Sequence, residues 1–325
     1  MKVWVILGGR SAEREVSLDS GQAVARALEE RGHGVWAYDL GRGVFLPEHS
    51  TEPPPPGEPE PGGSWAEHLL AAARRLRQTV EVAFLALHGG EGEGGGVQAL
   101  LESAGVPYTG SGPAACAVSL DKALSKWIME ALDIPTPAWE RVTYTGEALE
   151  PRWMPVVVKP VTEGSSVGIG IAHDSTGWRS ALETAAAAAG PGGQLLIEEY
   201  IDGRELTVGI LDDRALPIVE IIPRSGFYDY TRKYTPGQSE YVVPAQLAEK
   251  ETERLQDHAL RLYRAMGCKG MARVDFRVSP EGREACLELN TIPGLTSTSL
   301  LPKAAAAVGI GFGQLLEEVC AAAHH

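Results

Sequence analysis

The chain of 325 residues is too long for one ordinary domain, and its apolar content of 44% is enough to build more than one core. A formal net charge of −14 argues against nonspecific binding to nucleic acid or to an anionic membrane, and no apolar run is long enough to span a bilayer. The four cysteines show neither a CxxC spacing nor a histidine cluster, which predicts buried thiols in a reducing, cytoplasmic compartment.

The first hundred residues alternate strand-like and helical segments. Strands are predicted at residues 3–7, 35–38 and 82–87, and helices at residues 20–30 and 65–77. Such alternation predicts a parallel sheet covered by helices on both faces. A segment rich in Pro, Glu and Gly, residues 52–63, is expected to be a surface loop within this domain, because the alternation resumes beyond it.

Further elements follow in the second part of the chain. Helices are predicted at residues 121–132, 180–189 and 249–266, and strands at residues 156–159 and within 195–211. Residues 227–244 form a long polar segment between these elements. A loop of this length in a compact protein is more often a lid or a binding loop than a passive connection.

Residues 270–294 predict a β-hairpin with one polar face. Two β-rich runs flank a Pro/Gly turn at residues 279–282, and side chains two apart on a strand share a face. One face then carries Arg273, Asp275, Glu288 and Asn290, and the opposite face carries Val274, Phe276, Leu287 and Leu289. Carboxylate and amide oxygens suit Mg²⁺, which binds one or two protein carboxylates together with substrate phosphates. A solvated face with a surface ion pair is the alternative interpretation.

Two glycine-containing turns follow predicted strands of the first domain. Residues 8–13 lack the G-x-G-x-x-G pattern, which argues against a nicotinamide dehydrogenase. This turn either exposes Glu13 to solvent or places it at the carboxyl end of the sheet, where it could bind a substrate ammonium group. The segment from His88 to Gly94 allows close approach of a ligand to the backbone, although a flexible loop is an equal alternative.

Two further segments suggest nucleotide binding. Lys159 ends a β-branched strand, and the small residues that follow it offer backbone N–H groups and hydroxyls to a phosphate. The pattern is not that of a P-loop. Glu198 and Glu205 are either surface carboxylates or acceptors for an adenine amine and ribose hydroxyls, and their spacing does not decide between the two.

Taken together, these motifs resemble the D-alanine–D-alanine ligase family of the ATP-grasp superfamily. The matching segments are residues 8–17, 108–112, 121–122, 163–168, 227–234, the hairpin and residues 296–300, in the family's order. The resemblance implies an ATP-grasp fold: an N-terminal parallel α/β domain (1–104), followed by two α+β subdomains (105–191 and 192–320) that enclose ATP. It also implies ATP-dependent joining of two D-alanines through a D-alanyl phosphate, for peptidoglycan synthesis.

The same resemblance assigns roles to individual residues. For ATP, it implies phosphate contacts from Lys122 and Lys159, and base or ribose contacts from Glu198, Tyr200, Ile201, Glu205, Phe227 and Leu287. For two Mg²⁺ ions, which Mn²⁺ could replace, it implies Asp275, Glu288 and Asn290. For the amino acids, it implies Glu13 at the first ammonium, Arg273 at the reacting carboxyl, Ser299 and Leu300 at the second carboxylate, with His88 and Lys233 also in the site. Ser165 and Tyr234 would join Glu13 in a hydrogen-bonded set that closes the site.

The chain departs from the family pattern at Gly94, where an Asp is usual, and this leaves the role of Glu93 open. Thr298 occupies a position that varies among relatives, and Tyr234 favours an amino acid over D-lactate as second substrate. The alternatives are therefore a D-alanine–D-lactate-type ligase or a non-catalytic nucleotide-binding relative, although the latter should lack the metal ligands. A homodimer is expected by analogy, and a monovalent-cation requirement is left open.

Overall fold

The computed structural model describes residues 1–51, 63–147, 149–164, 167–223, 239–297 and 299–323. Within these ranges the chain forms three β-sheets covered by helices. Across the same ranges, every helix is too short or too polar to cross a bilayer. All four cysteines are buried and unbridged, as predicted.

The first sheet is the predicted parallel α/β unit. Its strands are β1 (Lys2–Leu7), β2 (Gly34–Asp39), β3 (Val44–Phe45) and β4 (Val82–Leu85), in the order β3-β2-β1-β4, with β1 parallel to β2 and β4. Its helices are α1 (Arg14–Glu30), α2 (Trp65–Leu76), α3 (Gly90–Glu93) and α4 (Gly96–Ala104). Val3 to Leu7 are fully buried, because helices cover both faces of a parallel sheet.

Helix α1 begins six residues before its predicted start at residue 20, so that prediction was wrong at the N-terminal end. Ser17, Ser20 and Gly21 form part of its buried face. Because these residues are not apolar, the helical spacing of apolar residues on which the prediction depended is absent from this part of the sequence. A Cβ at Gly21 would lie 2.3 Å from the Cβ of Leu7. Glycine therefore lets α1 lie directly against β1, which fixes the position of the loop that carries Glu13.

The second sheet is antiparallel and has two different faces. After α5 (Pro113–Leu120) and α6 (Lys122–Ala131) come β5 (Trp139–Thr143), β6 (Val156–Pro160), β7 (Gly170–Ala172), α7 (Ser175–Ala189) and β8 (Gln194–Glu199), in the strand order β5-β8-β6-β7. Val156, Val158 and Ile197 pack against α7. Because side chains alternate, Lys159 and Glu198 point to the opposite face, towards α6.

The third sheet carries the predicted hairpin. Its elements are β9 (Arg204–Leu211), β10 (Arg214–Ala215), β11 (Val219–Pro223), β12 (Ser239–Val242), α8 (Glu249–Ala265), β13 (Met271–Val278) and β14 (Glu284–Asn290), in the strand order β12-β11-β9-β13-β14, with β10 paired to β9. Residues 239–242 were predicted as part of a loop, and this was wrong. They pair with β11 as an edge strand, and Tyr241 packs on the core. The polar neighbours of Tyr241 made this strand look like a loop in the sequence. The rest of that segment, residues 227–238, lies outside the described residues.

The last two helices, α9 (Leu300–Ala306) and α10 (Phe312–Ala321), return to the first domain. Leu315, Leu316 and Val319 of α10 belong to the same continuous core as β1 and α1. At the surface, the Glu317 carboxylate accepts hydrogen bonds from Arg31 (2.5 Å) and lies 2.9 Å from His33 Nε2. The two ends of the chain are thus joined in one unit, which also includes β9, β11 and β13 residues.

Candidate active site

One cavity is lined by side chains from all three sheet regions. The first region contributes Glu13, His88 and Glu93, the second contributes Lys122 and Gly164, and the third contributes Arg273, Glu288, Asn290 and Gly294. Six of the residues that the sequence assigned to a site therefore line the same cavity: Glu13, His88, Lys122, Arg273, Glu288 and Asn290. Four others, Ser165, Phe227, Lys233 and Tyr234, lie outside the described residues, as does Thr298.

The polar face of the hairpin forms as predicted. Strands β13 and β14 are antiparallel, with Arg273 opposite Asn290 and Asp275 opposite Glu288. Arg273 donates to Asp275 through Nε and Nη2, both at 2.9 Å, and Thr207 Oγ1 donates to the same carboxylate at 2.6 Å. This bidentate pair orients the guanidinium beside the cavity.

The predicted position of Leu287 on the apolar face was wrong. The register shifts between Asp275 and Phe276, so that Cys286, not Leu287, lies opposite Phe276. Cys286 joins Val274, Phe276 and Leu289 in the core, whereas Leu287 is half-buried and outside that cluster. The cause is a β-bulge, in which one extra residue turns its side chain away from the alternating pattern.

The donor set on this face fits a divalent cation. Asp275 and Glu288 supply carboxylates, and the Asn290 amide oxygen is oriented by a hydrogen bond of 2.9 Å from the Ile292 N–H. In the described part of the chain no three His, Cys, Asp or Glu side chains cluster, so the set depends on this amide as its third donor. Hard oxygen donors of these two types are what Mg²⁺ prefers.

The loops after β1 and β4 are held together at the acidic end of the cavity. Gly8 and Gly9 turn the chain with φ values of 79° and 80°, and Glu13 then precedes α1. Ser11 Oγ accepts from the Glu13 N–H at 3.1 Å and donates to the His88 carbonyl at 2.6 Å. A Cβ at Gly164 would lie 3.1 Å from Glu13 Oε2, so only glycine lets this loop of the second region approach the carboxylate so closely.

Burial shifts the proton affinities of the groups around Glu13. It lowers the pKa of His88 to about 4, with a smaller contribution from Arg273, so the imidazole is neutral at pH 7. Burial, together with the neighbouring Glu13 carboxylate, raises the pKa of Glu93 to about 7. Sequence reasoning left Glu93 without a role, but the structure places it on the cavity wall beside Glu13. This acidic end suits a bound ammonium group.

We expect replacement of Glu93 by Gln to change the pH dependence of stability. A carboxyl with a raised folded-state pKa stabilises the fold below about pH 4.5, and this contribution is lost as the pH rises through about 7. Glu93→Gln removes that loss. The free energy of unfolding of the variant, relative to the unsubstituted protein, should therefore increase by roughly 1–3 kcal/mol between pH 5 and pH 8.

Urea denaturation without substrates at the two pH values measures this difference. Glu91→Gln is the matched control, because Glu91 is on the same short helix but not on the cavity wall. The raised pKa of Glu93 would be contradicted if Glu93→Gln changed the free energy of unfolding, relative to the unsubstituted protein, by the same amount at pH 5 and at pH 8.

Buried lysines lie where the second sheet meets α6. Lys122 donates to the Glu163 carbonyl and lies 3.8 Å from the Glu288 carboxylate. Glu198, which was expected to accept from adenine or ribose, is 2% exposed and is bound by Lys159 and by Lys126, each at 2.7 Å. Sequence reasoning missed Lys126. The available signal was its spacing of four residues from Lys122, which puts both side chains on one helix face.

A second cavity lies between the second and third sheets. Among its lining residues are Tyr200 and Glu205, which the sequence assigned to base and ribose binding, together with Ile171, Ile221 and Arg277. Arg277 Nη2 donates to Glu205 at 2.9 Å. Ile201 is buried at 6% exposure next to Tyr200. Apolar walls with a few fixed polar groups are typical of a site for a small organic ligand.

Ser299 lies beside the first cavity, at the start of α9. Its Oγ is 2.8 Å from Thr296 Oγ1 and would lie 2.9 Å from a Cβ placed on Gly294, which lines the cavity. Leu300 follows as the first residue of α9 and is partly buried. Ser299 is therefore next to the cavity through Gly294, whereas Leu300 packs on the hydrophobic core.

Comparisons with known proteins cover almost the whole chain. The family models described as D-ala D-ala ligase N-terminus and C-terminus match residues 2–111 and 128–321. The D-alanine–D-alanine ligase of Syntrophotalea carbinolica is 45% identical over 99% of this chain and 96% of its own length. That of Aquifex aeolicus is 43% identical over 97% of this chain and 98% of its own length.

Solved structures agree with these relatives. A D-alanine–D-alanine ligase from Bacillus anthracis, complexed with ATP, superimposes with a TM-score of 0.79 at 31% identity, covering 99% of this chain and 97% of that chain. A VanG D-Ala:D-Ser ligase from Enterococcus faecalis gives a TM-score of 0.75 at 27% identity, covering 98% of each chain.

Proposed function

The chain belongs to the D-alanine–D-alanine ligase family, and from this premise we propose how its residues divide the work of the reaction. It has the ATP-grasp fold and joins two D-alanines at the expense of ATP, through a D-alanyl phosphate, for peptidoglycan precursor synthesis. The observation that carries the assignment of residues is the convergence of Glu13, Lys122, Arg273 and Glu288, from three separate regions, on one cavity.

ATP binds between the second and third sheets. Lys122 and Lys159 contact its phosphates: Lys122 lines the first cavity, and the buried Lys159 is close enough to Lys122 to lower its pKa electrostatically. The base and ribose occupy the second cavity, with Tyr200 and Glu205 at its wall and the buried Ile201 next to Tyr200. Leu287, turned away from the core by the bulge, packs on the base together with Phe227.

Asp275, Glu288 and Asn290 would hold Mg²⁺, with Mn²⁺ as a substitute. Ions bound there would supply positive charge against the phosphate oxygens of ATP. Asp275 also binds Arg273, and Lys122 lies 3.8 Å from Glu288. Two side-chain cations, Arg273 and Lys122, therefore lie on the same face as the carboxylates. They offset the negative charge of the phosphates, which the carboxylates would repel.

The amino acids bind at the other end of the cavity. Glu13, with Glu93 beside it, takes the ammonium of the first D-alanine, and Arg273 takes its carboxylate. His88 is neutral and hydrogen-bonds to Ser20 at 3.2 Å, so it adds no charge that would repel the ammonium. Ser299 and Leu300 receive the carboxylate of the second D-alanine. Lys233 and the closing set of Ser165 and Tyr234 complete the site.

These positions match the chemical problem. A carboxylate resists attack by an amine, so it is first converted to an acyl phosphate, which must be kept from water. Attack by the second amine then creates a tetrahedral oxyanion. Arg273 is already oriented by Asp275, so it stabilises that charge without rearranging first.

We further propose that the protein acts in the cytoplasm as a homodimer and that the domain boundaries lie near residues 104 and 191. The first boundary coincides with the end of α4, whereas the second sheet continues beyond residue 191 through β8. Sedimentation of the purified protein would test the dimer directly.

An ADP-release assay tests the proposed substrates. With D-alanine as the sole amino acid and Mg²⁺ present, we expect ADP release that saturates with D-alanine. D-lactate added to a low concentration of D-alanine should give less mixed product than dipeptide at neutral pH, because Tyr234 favours an amino acid over D-lactate at the second site, and D-serine is tested alongside it. ADP release no higher than background with D-alanine would reject the function, and preferential formation of a mixed product would reject the second-site assignment.

A further inference from the structure

Three buried charged side chains form a group, and one of them, Lys126, has no role carried over from the family. Glu198 lies on β8, and its two carboxylate oxygens are each 2.7 Å from an ammonium: Oε1 from Lys126 and Oε2 from Lys159. All three residues are at most 6% exposed. Burying a charge is costly unless it is paired, so this arrangement is held by mutual attraction inside the protein.

The geometry shows why two lysines are needed. A buried pair of Lys159 and Glu198 alone would be neutral and would attract a phosphate only weakly. With Lys126 on the second oxygen, the group contains two ammonium groups and one carboxylate and therefore keeps a net positive charge. Burial acts to raise the pKa of Glu198, but Lys126 and Lys159 outweigh it and hold the pKa below its usual value, so the carboxylate remains ionised.

Lys126 is also tied to the third sheet. Its Nζ donates to Thr136 Oγ1 at 2.6 Å, and Thr136 Oγ1 donates to the Cys286 carbonyl at 2.8 Å. Cys286 is next to the bulge residue Leu287 and two residues from Glu288. Lys126 thus connects α6, the face of the second sheet that carries Lys159, and the strand that carries the proposed base and metal contacts.

We propose that Lys126 is a positioning residue for ATP: it neutralises Glu198 so that the charge of Lys159 remains available to the nucleotide phosphates. Glu198 then acts on ATP through Lys159. This inference rests on the proposed contact between Lys159 and the phosphates.

Charge rescue tests the proposal. Lys126→Met leaves Lys159 and Glu198 as a neutral pair, so the group loses its net positive charge. The dissociation constant for ATP should then rise roughly 10- to 30-fold, as expected for one unit charge removed near the phosphates. Lys126→Met combined with Glu198→Gln restores one net positive charge, and its ATP affinity should return to within about threefold of the unsubstituted protein. Lys126→Arg, which keeps the charge, should stay within the same range. The KM for D-alanine should change little in all three.

Titration calorimetry with ATP, together with thermal melting, separates this role from a structural one. Arg254→Met is the control, because it removes the partner of another buried carboxylate, Glu284, far along β14, and it should leave ATP affinity unchanged. The proposal is overturned if Lys126→Met binds ATP normally, or if the double variant melts normally but still binds ATP more than tenfold more weakly. If Lys126→Met does not fold, the ATP affinities of the double variant and of Lys126→Arg decide the question. A variant of these two that melts normally but binds ATP more than tenfold more weakly overturns the proposal. Failure of the unsubstituted protein to bind ATP would instead count against the proposed function.

Discussion

Replacing Arg273 by Ala should lower kcat by about 100- to 1,000-fold while changing the affinity for ATP by less than about threefold. The carbonyl oxygen that Arg273 meets carries little charge in the acyl phosphate and gains negative charge in the tetrahedral oxyanion, so loss of Arg273 affects that transition state more than the acyl phosphate before it. Its guanidinium lines the cavity beside Glu13 and His88 and is held there by two hydrogen bonds of 2.9 Å to Asp275. Removal of one preorganised donor of this kind typically costs about 3 kcal/mol.

Single-turnover kinetics and calorimetry with ATP measure the two effects separately. Arg264→Ala is the matched control, because Arg264 makes the same bidentate contact to an aspartate, Asp213, at the protein surface. It should leave both quantities unchanged. Equal losses in turnover and in ATP affinity for Arg273→Ala would remove its assigned role at the reacting carboxyl.

Replacing Glu288 by Gln should lower kcat/KM for ATP by at least about 100-fold and raise the Mg²⁺ concentration needed for half-maximal rate. The substitution keeps the shape of the side chain and removes one of two carboxylates from the donor set. Glu288 is a sharper test than Asp275, since Asp275→Asn would also disturb the pairs with Arg273 and Thr207.

Initial rates across a Mg²⁺ series provide the measurement. Glu284→Gln changes the same residue type on the same strand, but Glu284 pairs with Arg254 away from the cavity, so its Mg²⁺ dependence should not shift. If Glu288→Gln, or the companion Asp275→Asn, bound ATP and kept full turnover at low Mg²⁺, the metal assignment would fail.

Alternation within strands explains why the hairpin could be predicted from the sequence and why one of its residues could not. Arg273, Asp275, Glu288 and Asn290 share a face because each pair is two residues apart, a local property. Leu287 departs from the pattern because of a β-bulge. A bulge depends on how two strands pair, so the hydrophobic pattern of one strand does not predict it. The same bulge leaves Leu287 half-buried and outside the core cluster that Cys286 joins.

The buried lysines show a second limit. Lys122 and Lys126 on one helix face look like a solvated surface, and Glu198 looks like a strand-end carboxylate. Only the packing of α6 on the second sheet shows that Lys126 and Lys159 both pair with Glu198. Likewise, the convergence of Glu13 with Arg273 joins residues far apart in the chain, which local patterns cannot reveal; the family resemblance supplied that expectation.

The shared core of the first and third regions has a consequence for how the enzyme exchanges its ligands. Residues from both chain ends and from β9, β11 and β13 form one hydrophobic body, whereas the second sheet and α7 pack on a core of their own. Glu13, Arg273 and Ser299 all belong to the larger body. If the smaller body swung relative to the larger one, the distances between these amino-acid contacts would stay constant, because all three belong to the larger body.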